Sequence, residues 1–211
     1  MAAKMRSHGL FFSVSVLFLF MISCSSVPML NINYRAPEKT GQLAGKKVVL
    51  EIKDSRTDKD MLDPGAKEEF QNASESLSLS VAEGNEKGFK IGIFQLTDLM
   101  RQVFEERFKS FGITTLTDKE KTGGEPKVVI EIKAFKLELT PGTIKRNWRA
   151  SMNYGIEISG NGKTLAGTTI TGQSEKLKII GKKEADSLAS DLVTDLVNRV
   201  DMPALFKQAG L

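Results

Sequence analysis

From Lys46 onward the alternation of apolar and polar positions is that of a folded domain. Val48, Leu50 and Ile52 alternate with Val49, Glu51 and Lys53, which predicts a half-buried strand. A polar stretch from Asp54 to Ala73 follows, with Asp63-Pro64-Gly65 as a turn signal. Leu77, Leu79 and Val81 then alternate with serines as a second strand, closed by Gly84-Asn85. Near Gln95 the period changes to 3.6. Leu96, Leu99, Met100, Val103, Phe104, Phe108 and Phe111 fall on one helical stripe, and Gly112 stands where a C-terminal cap belongs. Burial against a sheet explains the phenylalanines without a ligand pocket.

Ile113 to Leu116 and a Lys/Glu/Gly turn from Asp118 to Gly124 lead into a long strand from Lys127. Val128, Ile130, Ile132 and Ala134 share one phase, whereas Phe135, Leu137 and Leu139 take the other. The slip predicts a β-bulge between Ala134 and Phe135. After Pro141-Gly142, Trp148, Ala150, Met152, Tyr154, Ile156 and Ile158 point inward, opposite Arg149, Ser151, Asn153 and Glu157. Gly160-Asn161-Gly162 is a hairpin turn into a strand from Lys163 to about Thr171. A final helix carries Ala185, Leu188, Ala189, Leu192, Val193, Leu196 and Val200 on one side, and Pro203 starts a short terminal turn. This order predicts an α+β fold: a two-layer sandwich in which a mixed or antiparallel sheet of about five to six strands carries two helices on one face.

Upstream of Lys46 the pattern differs. Residues 1–9 carry Lys4 and Arg6 without an acid, and the run from Leu10 to Ile22 is apolar but for Ser13 and Ser15. These are the n-region and h-region of an export signal. Such a run extends roughly 20 Å as a helix, short of a hydrocarbon core about 30 Å thick. Met21-Ile22-Ser23-Cys24 resembles the bacterial lipobox, which implies cleavage between Ser23 and Cys24 and acylation of the cysteine. Two or three acyl chains, at about 0.8 kcal/mol per buried methylene, anchor a protein durably to membrane lipid. Residues 24–45, with Pro28, Pro37 and Gly41, read as the acylated N-terminus and a flexible tether. A short edge strand over Leu30, Ile32 and Tyr34 is the competing reading. The expected organisation is thus a leader over 1–23, a tether over 24–45 and a single periplasmic domain over 46–211.

Composition restricts the chemistry. There are 30 basic and 26 acidic residues, and two of the basic ones lie in the leader, so the remainder is close to neutral and implies no nucleic-acid partner. His8 and Cys24 are the only histidine and cysteine. Once the leader is gone and Cys24 is acylated, serine–histidine and cysteine–histidine mechanisms, His/Cys zinc sites and internal disulfides are all excluded. No metal or cofactor is expected: Gly123-Gly124 lacks the Lys-Ser/Thr of a phosphate loop, and Glu68-Glu69 has no catalytic context. A carboxylate-based hydrolase is the minor alternative.

Two clusters are candidate partner surfaces. Asp54, Arg56 and Asp58 place acids and a base at a strand end, where pairing of Arg56 with a carboxylate and capping of local backbone donors is the simpler expectation. Lys145, Arg146, Trp148 and Arg149 combine base and aromatic, as surfaces facing lipid headgroups do. Alternation nevertheless turns Trp148 inward.

With these elements placed, the chain resembles the YajG-type lipoprotein family. The likeness is carried by the lipobox cysteine, Asp54-Ser55-Arg56-Thr57-Asp58 after the first strand, the helix ending in Phe111-Gly112, the long meander, and the closing helix leading into Asp201-Met202-Pro203-Ala204-Leu205-Phe206. The resemblance implies a lipid-anchored protein without established enzymatic activity, distantly like auxiliary lipoproteins of envelope lipid and polysaccharide transport. Ser25 after the cysteine, in place of aspartate, implies sorting to the outer membrane with the domain facing the periplasm. The expectation is therefore a non-enzymatic binding or scaffolding protein, with an auxiliary transport subunit as the alternative. Its partner is an envelope protein or glycolipid. An apolar groove on the sheet face opposite the helices argues for lipid, and a flat polar face argues for protein contact.

Overall fold

In the computed structural model, which describes residues 29–70, 77–83, 86–88, 93–117, 120, 122–140, 146–179 and 183–211, strands sort into two sheets. The chain runs β1 (Leu30–Ala36), β2 (Lys47–Asp54), α1 (Pro64–Glu69), β3 (Leu77–Glu83), β4 (Glu86–Gly88), β5 (Ile93–Phe94), α2 (Leu96–Ser110), β6 (Thr114–Leu116), β7 (Lys127–Leu139), β8 (Asn147–Gly160), β9 (Lys163–Leu177), α3 (Lys183–Asn198) and α4 (Met202–Gln208). The five-stranded sheet has the order β6-β2-β7-β8-β9. Its β6/β2 and β2/β7 pairs are parallel, and β7/β8 and β8/β9 are antiparallel. The fold is α+β. The leader, Ser23, Cys24, Gly84-Asn85 and Pro141-Gly142 lie outside the described residues.

Periodicity accounts for the layers. Every residue of the predicted α2 stripe is buried, as are Trp148, Ala150, Met152, Tyr154, Ile156 and Ile158 of β8. Phe104 of α2 meets Tyr154 edge-on at 5.6 Å, and the Tyr154 hydroxyl donates to Leu196 O of α3 at 2.8 Å. Both long helices therefore cover the same face of the large sheet. Asn161 and Gly162 take φ of 51° and 74° in the tight β8–β9 turn, a left-handed conformation that Asn and Gly tolerate best.

Several boundaries differ from the sequence expectation. The segment read as tether contains β1, with Leu30, Ile32 and Tyr34 at most 3% exposed. It pairs in parallel with β3 in a second, small sheet that β4 and β5 complete. Three alternating apolar residues are too short a run to outweigh the flanking prolines when read alone, but here they meet a ready apolar surface. The folded domain accordingly includes Leu30–Ala36, upstream of Lys46. The β7 bulge lies between Ile132 and Ala134, one residue earlier than the slip suggests, because Ala134 is exposed and already belongs to the second phase. Strand β9 continues past Thr171 to Leu177, where serine, glutamine and glutamate hide the alternation. Asp63-Pro64-Gly65 opens α1 rather than a bare turn: Asp63 Oδ1 accepts the Ala66 N–H at 2.7 Å and Pro64 stands at the helix start. Pro203 likewise sits in the first turn of α4, capped by Asp201.

The free edge of β1 is closed by a helix. Asn31 N donates to Asp186 Oδ1 at 3.0 Å, Asn33 N to Ser190 Oγ at 2.9 Å, and Arg35 N to Thr194 Oγ1 at 3.2 Å. Asn198 Nδ2 completes the series by donating to Arg35 O at 2.9 Å. Four residues of helix rise about 6.0 Å and two of strand about 6.6 Å, so every fourth residue of α3 meets every second residue of β1. The polar side of α3 thus serves as a surrogate strand.

Candidate functional site

At the end of β2, Asp54 and Arg56 form a closed unit. Arg56 is 6% exposed; its Nε and Nη2 donate to Asp54 Oδ1 and Oδ2 at 3.0 and 2.9 Å, and its Nη1 donates to Lys59 O at 3.0 Å. Asp58 turns away from this pair, accepting from Asp60 N and pairing with Lys136 of β7 at 2.6 Å. Arg56 turns inward onto Asp54 and Lys59 O, and Asp58 onto Lys136, so the unit ties the 54–60 turn to the sheet. Side-chain hydrogen bonding to Arg56 holds the Asp54 carboxyl down at about 2. Because the folded-state value is depressed, the stabilisation is complete above the ordinary value near 4 and is lost as pH falls from about 4 to about 2. It amounts to about 2 kcal/mol. Urea unfolding at pH 5 and pH 3 should show about half of that loss in the natural chain and a smaller one in Asp54→Asn.

The second cluster is taken apart by the fold. Lys145 lies outside the described residues. Trp148 is fully buried and meets Phe70 edge-on at 6.1 Å, which fastens the end of α1 to β8. Arg149 points to the opposite face and pairs with Glu175 of β9 at 2.6 Å. Arg146 sits 3.4 Å from Glu69, which Lys178 also contacts. Alternation in β8 separates Trp148 from Arg149, Glu175 pairs with Arg149, and Glu69 is shared by Arg146 and Lys178, so the described residues of this cluster do not share one face.

The face of the large sheet away from the helices is polar. Lys53, Glu131, Lys133, Glu157 and Thr164 surround a shallow hollow of about 450 Å³ where Gly155 and Gly167 lack side chains. Lys133 pairs with Glu131 at 3.7 Å and Thr164 donates to Glu157 at 2.8 Å. A second cleft of about 460 Å³ opens between β2, β6 and α2, and its Arg101 donates to Leu50 O at 3.0 Å. Neither holds a buried apolar groove. Among the described residues no group of three or more His, Cys, Asp or Glu could hold a metal ion, and no helix is long and apolar enough to cross a membrane.

The sequence reading passed over Arg107. It stands within the α2 stripe, three residues after Phe104, yet a charge there was left out of the apolar set. The structure buries it, with Nη2 donating to Asn198 O at 3.0 Å and Val200 O at 3.2 Å, and its guanidinium lies 4.4 Å from the centre of the Phe111 ring. Tyr34 donates to Asn198 Oδ1 at 2.8 Å beside it. Burial raises both the Tyr34 and Tyr154 hydroxyls and keeps them protonated as donors. Together Tyr34, Arg107 and Tyr154 bring β1, α2 and β8 onto the last turn of α3. A charged residue at a core position of a helical stripe is the signal that would have found it.

No protein-family model matches the chain, and no curated protein is similar enough in sequence to count as a relative. Solved structures with related outlines include a protein from Xanthomonas campestris described by the family model DUF330, at 12% identity and TM-score 0.45, covering 85% of this chain and 95% of that one. A minor lipoprotein from Acinetobacter baumannii matches at 9% and 0.36 over 76% and 93% of the two chains, and rare lipoprotein B from Shewanella oneidensis at 11% and 0.39 over 78% and 98%. These neighbours include bacterial lipoproteins.

Proposed function

We propose that the chain is a lipoprotein of the bacterial cell envelope whose domain binds or scaffolds another envelope component without catalysing a reaction. The observation that carries this reading is Met21-Ile22-Ser23-Cys24, placed directly after the apolar run and holding the sole cysteine. The polar sheet face favours a protein partner over a lipid acyl chain. The YajG-type likeness and Ser25 support an outer-membrane address. The alternative, an auxiliary subunit of envelope lipid or polysaccharide transport, rests on the family likeness and predicts a glycolipid whose binding weakens when Arg146 and Arg149 are both replaced by alanine.

Metabolic labelling with a palmitate analogue, followed by mass spectrometry of the N-terminal peptide, tests the anchor. The natural chain is expected to carry acyl groups on Cys24 and to sediment with membranes. Cys24→Ser should lose the label and retain its leader. An unmodified cysteine in the mature chain would refute the proposal.

A further inference from the structure

Most strand edges in this molecule are short or covered. β6 and β4 have three residues each and β5 has two. The free edge of β1 is closed by Asp186, Ser190 and Thr194 of α3. Apart from the end of β2 beyond β6, the long free edge among the described residues is that of β9. This strand is 15 residues long and ends the large sheet, and among the described residues its far edge pairs with no strand. A bulge at Leu165 twists the start of the strand, but from Ala166 to Ser174 the edge is regular and carries neither a proline nor a charge. A bare uncharged edge of this length is a template for another strand.

The side chains indicate which strand. The exposed large apolar residues among those described are Leu165 at 39%, Leu177 at 46% and Ile179 at 71%, and they sit at the two ends of β9. An isologous contact about a two-fold axis requires antiparallel pairing of β9 with itself. With Thr171 on the axis, Thr169 falls opposite Gln173 and Ala166 opposite Lys176, and the bulged Leu165 of each copy comes beside Leu177 of the other just beyond this ladder. Within the regular part of the strand the charges also avoid one another: Glu175 faces Gly167 and Lys176 faces Ala166. We propose that β9 pairs antiparallel with the β9 of a second copy of this chain, centred on Thr171, to give one sheet continuous across both copies. This goes beyond the envelope role and holds whether or not Cys24 is acylated.

Cysteine crosslinking of the full chain, solubilised in detergent, tests the register. Directly opposed residues have Cα atoms about 4.5–5.5 Å apart, within disulfide reach. Thr171→Cys alone should therefore form a disulfide-linked dimer under mild oxidation, well above the unsubstituted chain with its Cys24. Thr169→Cys mixed with Gln173→Cys should crosslink too, whereas Thr169→Cys alone should not, since its two copies are offset by about 13 Å. Thr171→Lys sets two like charges opposite each other and should weaken self-association at least tenfold by light scattering, with an unfolding midpoint unchanged at concentrations low enough that both chains are monomeric. A single-chain protein mass for the unsubstituted chain, or no self-link from Thr171→Cys, would overturn the proposal. So would a link from Thr171→Cys to a different protein in place of the self-link.

Discussion

Arg107→Ala is expected to lower the unfolding free energy by about 3–5 kcal/mol. The guanidinium is buried and no carboxylate pairs with it; its charge is balanced by the C-terminal end of α3, where the last carbonyls carry partial negative charge. Truncation leaves the buried Val200 O and the part-buried Asn198 O without this donor, and it opens a void beside Phe111. Arg107→Met separates the two effects, because it keeps most of the stem volume and removes the donors. Arg107→Lys keeps the charge but not the fork. The expected order of stability in urea unfolding is natural chain, Lys, Met, Ala, with the Ala variant melting about 10 °C lower. A Met variant as stable as the natural chain would show that packing alone matters at this position.

The contrast between Arg107 and its neighbours explains what was legible in the sequence. Periods of 2 and 3.6 located β2, β7, β8, α2 and α3, because each buries one face and the buried residues are apolar. Trp148 was placed in the core by alternation alone. Where a buried residue is polar, the pattern gives no sign of it. Ser190 and Thr194 look like solvent positions on α3, yet they are buried because the partner they satisfy is the backbone of β1, distant in sequence. The second cluster is divided for a related reason. Glu69 and Glu175, which engage Arg146 and Arg149, lie on other elements, and local spacing cannot reveal such pairings. Asp54 and Arg56 were legible because their contact is local.

Beginning the chain at Lys46, the domain boundary that the sequence pattern suggests, is expected to abolish cooperative folding, whereas beginning it at Met29 preserves it. β1 supplies Leu30, Ile32 and Tyr34 to the core, all nearly or fully buried, and pairs along its whole length with β3. Deleting the strand removes its own ordering cost, but it also strips the surfaces those side chains cover. Exposing apolar surface on that scale costs about 1.5–3 kcal/mol per large side chain. The same deletion strands Asp186, Ser190 and Thr194 without the N–H groups they accept, and removes the Tyr34 hydroxyl from Asn198. Summed, these losses rival the whole stability of a typical domain, about 5–15 kcal/mol. Near-ultraviolet circular dichroism and thermal unfolding of the two chains provide the comparison. A sharp, reversible transition in the chain beginning at Lys46 would mean that β1 is an accessory strand and that α3 holds its polar ladder against water instead.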